Sequence, residues 1–370
     1  MGALGALRLT FACLLVSGQG VPTYALPQLR FIAPAHIPHS HSDALTKTRS
    51  FEYNLADQLT LAIDELGKRT GYAYDAAGRL DTVTDPLGGV RSYLYDLFGR
   101  RKSEKDALNR EVVYTYDDLG RLDAVTDPTG TRSYAYDLSG RLSAETSVDG
   151  KITRFAYDAG NRMTSRTEPD LSVTRFEYDG SGNRTKVIDA QGNATTFFYD
   201  ELNRLVRTVA PDGGTTRFEY DASGNQTAIT DASGARTSFV YDKLNRLTAR
   251  TAPDGAVTAF EYDSLGNQKK ITDSAGKITS FVYDALSRLI KTIDPLGGIT
   301  EYVYDAVGSL LSTKDPAGAT TSSEYDALGR VVRSVDALGN ATGFAYDLAG
   351  NLTGTTDARA PMLMIRPREG

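Results

Sequence analysis

A Tyr-Asp pair recurs every 21 residues across most of this 370-residue chain, and no other feature of the sequence restricts the fold as strongly. The anchors are Tyr53, Tyr74, Tyr95, Tyr116, Tyr136, Tyr157, Tyr178, Tyr199, Tyr220, Tyr241, Tyr262, Tyr283, Tyr304, Tyr325 and Tyr346, and thirteen of the fourteen intervals are 21 residues. The exception, Tyr116 to Tyr136, is 20, with the missing residue falling after Gly130, where a turn can absorb it. Self-similarity at such a period marks a tandem array in which each unit stabilises its neighbours.

Two residues before each anchor stands another aromatic, as in Tyr93-Leu94-Tyr95 and Phe218-Glu219-Tyr220, with Ser323 the one departure. Side chains at i and i+2 share one face of a strand, so each unit contains a strand with an aromatic face. Every anchor except Tyr53 is followed by Asp, and four residues past the anchor comes Gly ten times and Asn three times. These are residues that tolerate positive φ, and the Asp carboxylate can accept backbone N–H groups of the turn. In the unit that runs from Tyr74 through Asp75, Gly78 and Arg79, a second turn, Asp85-Pro86-Leu87-Gly88, follows with the residue preferences of a type I turn. The next anchor is Tyr95 with Asp96; Asp221 and Gly224 occupy the equivalent places after Tyr220. Tyr74, Asp75, Gly78, Arg79, Asp85, Pro86, Gly88, Tyr93, Tyr95, Asp96, Phe218, Tyr220, Asp221 and Gly224 are therefore read as turn and core residues, not as catalytic, metal-binding or ligand-binding ones.

Between the two turns run segments such as Arg79 to Thr84 and Arg288 to Ile293, rich in β-branched residues, which supply the partner strand. The unit is a β-hairpin, and consecutive units form a long antiparallel ribbon. The Leu six residues past the anchor and the Val or Ile nine past it differ in parity, which calls for a bulge or twist between them. A lone hairpin is marginal in water, so neighbouring units are expected to share one core of aromatic and Leu side chains. From Tyr157 to Tyr304 a 42-residue rhythm is superimposed: Gly182-Asn183, Gly224-Asn225 and Gly266-Asn267 alternate with Asn203-Arg204 and Asn245-Arg246.

With 35 Gly, 21 Tyr and no Trp, the composition suits short strands and tight turns. The net charge of −6 with both signs interspersed offers no basic patch for nucleic acid. The single Cys13 precedes the repeats, which leaves them without thiol chemistry or disulfides, and without a histidine to serve as a base. Residues 1–25, with Arg8 ahead of the apolar run Leu9 to Val16 and Thr23-Tyr24-Ala25 downstream, resemble a secretory signal peptide; the run is too short for a transmembrane helix. Residues 26–50 read as a linker carrying Pro27, Pro34 and Pro38 and all three histidines, His36, His39 and His41, without the Cys or carboxylate partners of a metal site. Residues 51–357 are the fifteen repeats, and residues 358–370 a short non-repeat tail. The Asp and Gly spacing does not contain Gly-Gly-x-Gly-x-Asp, so no metal and no cofactor is expected.

The sequence Tyr-Asp-x-x-Gly-Arg, then Thr-Asp-Pro-x-Gly, then aromatic-x-Tyr-Asp, complete from Tyr74 to Asp96, resembles the YD repeat of Rhs-family proteins. It is similar to the repeat of wall-associated bacterial proteins, insecticidal toxin complexes and the teneurin shell. The resemblance implies an all-β ribbon that spirals into a hollow shell, in many members around a toxic C-terminal domain. No counterpart of the motif that closes such shells by aspartate-mediated cleavage is present, which implies a partial shell in which fifteen repeats make an arc or a partial turn. The expected function is a non-enzymatic bacterial scaffold, secreted or on the cell surface, forming a fragment of a toxin shell whose cargo or continuation lies elsewhere. The alternative is a surface adhesin in which exposed Tyr and Arg bind a glycan.

Overall fold

The structure, a computed structural model, describes residues 39–43, 45, 47–357 and 360–364. The signal-peptide reading of residues 1–25 and His36 lie outside them. Thirty-two strands occupy the described residues, from β1 (His39–Ser42) and β2 (Thr48–Tyr53) to β31 (Leu352–Asp357) and β32 (Ala360–Met364), with no helix. Each pairs antiparallel with the strand before and the strand after it, as β1 does with β2 and β31 with β32. The ribbon therefore reaches beyond the repeats at both ends, into the stretch read as a linker and into the tail.

One unit shows why this sequence makes this ribbon. Strand β4 (Arg69–Tyr74) carries Tyr72 and Tyr74 half-buried on one face with Ala73 exposed on the other, and pairs with β5 (Leu80–Thr84). Tyr72 faces Val83 and Ala73 faces Thr82, but Tyr74 faces Leu80, so Asp81 is an extra residue in the ladder. The bulge reconciles the parity conflict in the sequence, bringing Leu80 and Val83 to the same face as the aromatic pair. The same slip sits immediately before the anchor tyrosine in every unit, from Tyr53 to Tyr346. Bulges bend the strand that carries them and increase its twist, and one placed identically in each unit bends the ribbon in one sense throughout.

The consequence is closure. The Lys68 ammonium donates to the Asp326 carbonyl at 2.9 Å across 258 residues of chain, or about twelve units. The fifteen repeats thus complete a turn and begin to overlap, where the sequence suggested an arc or partial turn; bend per unit is a matter of ladder geometry that residue types alone do not specify. Twelve units of two strands at about 4.8 Å per strand give a circumference of roughly 115 Å and a diameter near 35 Å.

The expected shared core is the second difference. Among the described residues only Tyr93 and Ala228 are buried apolar side chains. A single-layer ribbon has no second layer to cover its aromatic face, so the tyrosines and leucines remain half-exposed. Stability has to come from the ladder and from contacts between adjacent units.

Both turns of each unit use one geometry. In the first, Gly78 N–H donates to the Asp75 carbonyl and Asp75 N–H to the Arg79 carbonyl; in the second, Gly88 and Gly89 repeat this about Asp85. Each is a type I turn closed by a residue at positive φ, the three-residue hairpin loop. Gly78 has φ 77° and Gly88 φ 84°, while Asn203 and Asn245 adopt φ 60°. The short interval is absorbed as its position suggested. Asp127 and Gly130 face each other where β9 (Leu122–Asp127) meets β10 (Gly130–Tyr136), leaving a two-residue loop. Leu171 occupies the positive-φ position at φ 68°, strained for a Cβ-bearing, non-Asn residue. Leu171→Gly is expected to stabilise the chain by about 0.5–1 kcal/mol, relief of strain exceeding the added backbone freedom, whereas Gly224→Leu should destabilise it by about 1–2 kcal/mol. Urea midpoints of the two variants would check both signs.

Candidate functional site

The functional geometry of a ribbon lies in what recurs, and the anchor tyrosine does more than pack. Tyr74 Oη donates to the Leu59 carbonyl at 2.9 Å and Tyr95 Oη to the Leu80 carbonyl at 2.9 Å, each reaching the first residue of the second strand in the preceding unit. The same bond joins Tyr220 to Leu205 and Tyr346 to Val331, and fourteen tyrosines make it at 2.8–3.0 Å. Leu80 heads its strand just before the bulge, and its carbonyl accepts from the hydroxyl of the next anchor.

Arginine five residues past the anchor completes the clasp. Arg79 Nε donates to Asp75 Oδ2 at 2.7 Å, the guanidinium lies 4.8 Å from the centre of the Tyr95 ring, and Nη1 donates to the Asp96 carbonyl at 3.1 Å. One side chain therefore closes its own turn, covers the next unit's tyrosine and bonds the next unit's turn. Nine arginines lie over the following anchor at 4.4–5.1 Å, a contact worth about 0.5–1 kcal/mol at exposed sites.

The 42-residue rhythm has a structural reason here. Where Asn replaces Arg, the shorter side chain cannot reach the next ring. Asn183 Nδ2 instead bonds Asp179 Oδ2 at 3.0 Å and Asn203 Oδ1 at 2.7 Å, and Asn225 bonds Asn245 Oδ1 at 2.8 Å. Asn203 and Asn245 are the positive-φ residues of the following turns. An Asn at the end of one turn is thus matched by an amide at the positive-φ place of the next, and Asn267 to Ser287 Oγ at 3.1 Å is the same match with a hydroxyl.

The carboxylate of the Asp that follows each anchor from Tyr74 to Tyr346 is occupied by its own turn. Asp75 Oδ1 accepts from Ala77 and Arg79 N–H, Asp85 Oδ1 from Leu87 and Gly89 N–H, and Asp221 Oδ1 from Ser223 and Asn225 N–H. Bonds from the Arg79 guanidinium, then the Arg79 N–H, hold the Asp75 carboxyl below its ordinary value, and the Asn225 amide does so first for Asp221. Asp149 is lowered to about 2 by the Lys151 ammonium and the Ser147 hydroxyl. Pro86 sits inside the second turn, Tyr93 is buried, and Phe218 is half-buried on the aromatic face with Tyr220.

Among the described residues no three His, Cys, Asp or Glu side chains converge, and no helix is long and apolar enough to cross a membrane. The sequence reading assigned Tyr to packing and Asp to capping. It missed the hydroxyl bond and the arginine lid, although Arg recurring five residues past the anchor was visible.

Ribbon, bulge and clasp define a tandem β-hairpin scaffold. The chain belongs to the RHS repeat family, whose model matches twelve stretches, the first at residues 53–90 and the last at 325–361. Its fold is similar to that of TcdB2-TccC3 without its hypervariable C-terminal region, at 15% identity and a TM-score of 0.68, covering 84% of this chain and 21% of that one. It is also similar to the Photorhabdus luminescens Tc holotoxin pore, at 16% identity and a TM-score of 0.64, covering 84% of this chain and 19% of the other. The chain therefore spans about a fifth of the length of these solved structures. No curated protein matches its sequence.

Two outcomes follow from the clasp. Tyr220→Phe keeps the ring under Arg204 but removes the bond to Leu205, and should cost about 0.5–1.5 kcal/mol, with hydrogen exchange accelerated in the two units it joins. Because the turn aspartates have folded-state values below the unfolded 3.8, their contribution is present above about pH 4 and lost as pH falls through the lower folded values. The urea midpoint should fall progressively as the pH is lowered below about 4.

Proposed function

We propose that this chain is a non-enzymatic, secreted or cell-surface scaffold: a segment of a shell that encloses a toxin domain carried elsewhere. The observation that carries the reading is the closed turn. A ribbon clasped at every unit and bent in one sense makes a wall around an interior, as a shell requires and a catalytic pocket does not. The likeness to toxin-complex proteins supports the same reading, since the chain matches a share of much longer chains in that architecture.

The carboxylates argue for scaffolding over catalysis. A glycosidic pair would need two carboxyl groups of different environment facing one gap, whereas these repeat identically and bind the backbone of their own turns. Carbohydrate binding draws no support from the anchor tyrosines, whose hydroxyls are committed to carbonyls and many of whose rings lie under arginine.

Sequencing the locus beyond the codon for Gly370, together with protease treatment of intact cells, tests the proposal. Further Tyr-Asp units leading into a non-repeat domain, with the protein cleaved at the surface or recovered from the medium, is the expected result. A stop codon at that point and a protein confined to the cell interior would overturn it.

A further inference from the structure

On the face of the ribbon opposite the tyrosines, the cations from Arg236 onward are matched by carboxylates. Arg236 Nη2 donates to Glu219 Oε2 at 3.0 Å, Lys270 Nζ to Glu261 Oε1 at 2.9 Å and Arg333 Nη1 to Glu324 Oε1 at 2.6 Å. Lys291 and Lys314 share Glu301 at 3.4 and 3.8 Å.

Four arginines in the units just before break this rule. Arg154 in β12 (Ile152–Tyr157), Arg175 in β14 (Val173–Tyr178) and Arg217 in β18 (Thr215–Tyr220) stand three residues before their anchors, on the face that Ala73 occupies in its own unit. All three are exposed, and none takes part in an ion pair among the described residues. Arg207, in β17 (Leu205–Val209), faces Arg217 on one side and Phe198 on the other. Like charges directly opposite one another destabilise a sheet, so setting Arg207 against Arg217 is a cost that the fold itself does not explain. The carboxylates of this stretch, Glu177 and Glu219, are bound to Lys186 and Arg236 instead.

The arginines lie on strands two and four apart, so cations recur at multiples of about 10 Å along a strip roughly 30 Å long. Sequence order conceals the strip, because its members lie ten or more residues apart. Apolar side chains stand among the charges. Phe198 is 37% exposed with the Arg207 guanidinium 3.7 Å from its ring centre, Ile188 faces Arg175, and Val209 faces Thr196 beside Phe198.

We infer that this strip binds an acidic polypeptide segment of a partner protein. Guanidinium groups take carboxylates through paired hydrogen bonds, and a polypeptide presents carboxylates and apolar side chains together, whereas a phosphate chain presents charge alone. Neither end of this chain matches: residues 1–38 contain no Asp or Glu, and residues 365–370 hold one Glu with two Arg. A second copy offers turn aspartates already bound to their own backbone. The inference stands whether or not the protein encloses a toxin.

Fluorescence anisotropy of a labelled peptide alternating Glu and Leu, titrated with the purified full chain, tests it. Saturable binding that weakens as salt rises is expected. The triple variant Arg175→Ser, Arg207→Ser, Arg217→Ser should weaken it about tenfold or more. Ser already holds the equivalent places at Ser133 and Ser238, and at Ser165 and Ser312, so circular dichroism and melting should match the parent. A charge-matched variant away from this face, Arg91→Ser, Lys243→Ser, Arg250→Ser, should bind as the parent does, and Phe198→Ala should weaken the peptide about threefold or more. No saturable binding, equal loss in the two triple variants, indifference to Phe198→Ala, or tighter binding of inorganic tripolyphosphate than of the peptide would each overturn the inference.

Discussion

The bulge before each anchor tyrosine is the constraint on which the rest of this structure depends. Without Asp81 as an extra residue, Leu80 and Val83 would point to opposite faces, and the aromatic pair would lack one of its two aliphatic partners. Beside the bulge, the Leu80 carbonyl accepts from the Tyr95 hydroxyl. Side-chain grouping and the bend of the ribbon are thus two results of one local departure from regular pairing, and the join between units is made next to it. A unit that lost it would fail in both respects.

The array shows how a sheet can be stable with almost no buried core. Half-buried aromatics contribute less than fully buried ones, and surface ion pairs contribute little. Here each unit adds a hydroxyl-to-carbonyl bond, a carboxylate that accepts N–H groups of its own turn and, in most units, a guanidinium that touches the next. None is large, but each is made between immediate neighbours and is multiplied along the ribbon, which suits an additive, one-dimensional system. Arg79 and Asn183 are two solutions to the same position, one long enough to cover a ring and one that needs an amide acceptor in the following turn.

Much of this was legible in the sequence because the period exposes it. The aromatic pair gave the strand and its face; Gly78 and Asn203 gave the positive-φ turn positions; the parity of Leu80 and Val83 pointed to a bulge or a twist, and the structure shows which. What was not legible depends on accumulated geometry or on atoms at the ends of side chains. The small bend at each bulge decides closure only after about twelve units, so no single unit contains the meeting of Lys68 with Asp326. The Tyr74 hydroxyl bond was hidden because a tyrosine that packs and one that also bonds look alike as letters. The family resemblance supplied the ribbon and the spiral, and the half-exposed aromatic face followed only from the single layer.

Pairing only between strands adjacent in the chain gives this protein an unusually local fold for an all-β one. Long-range β pairing ordinarily slows folding, because distant segments must meet before they are rewarded. Here every new hairpin finds its template in the one just completed, so the ribbon can lengthen in step with synthesis, residue by residue from the ribosome. The meeting of Lys68 with Asp326 is different in kind: it waits until 258 residues beyond Lys68 have been laid down. Closure is therefore a late event on an already ordered wall.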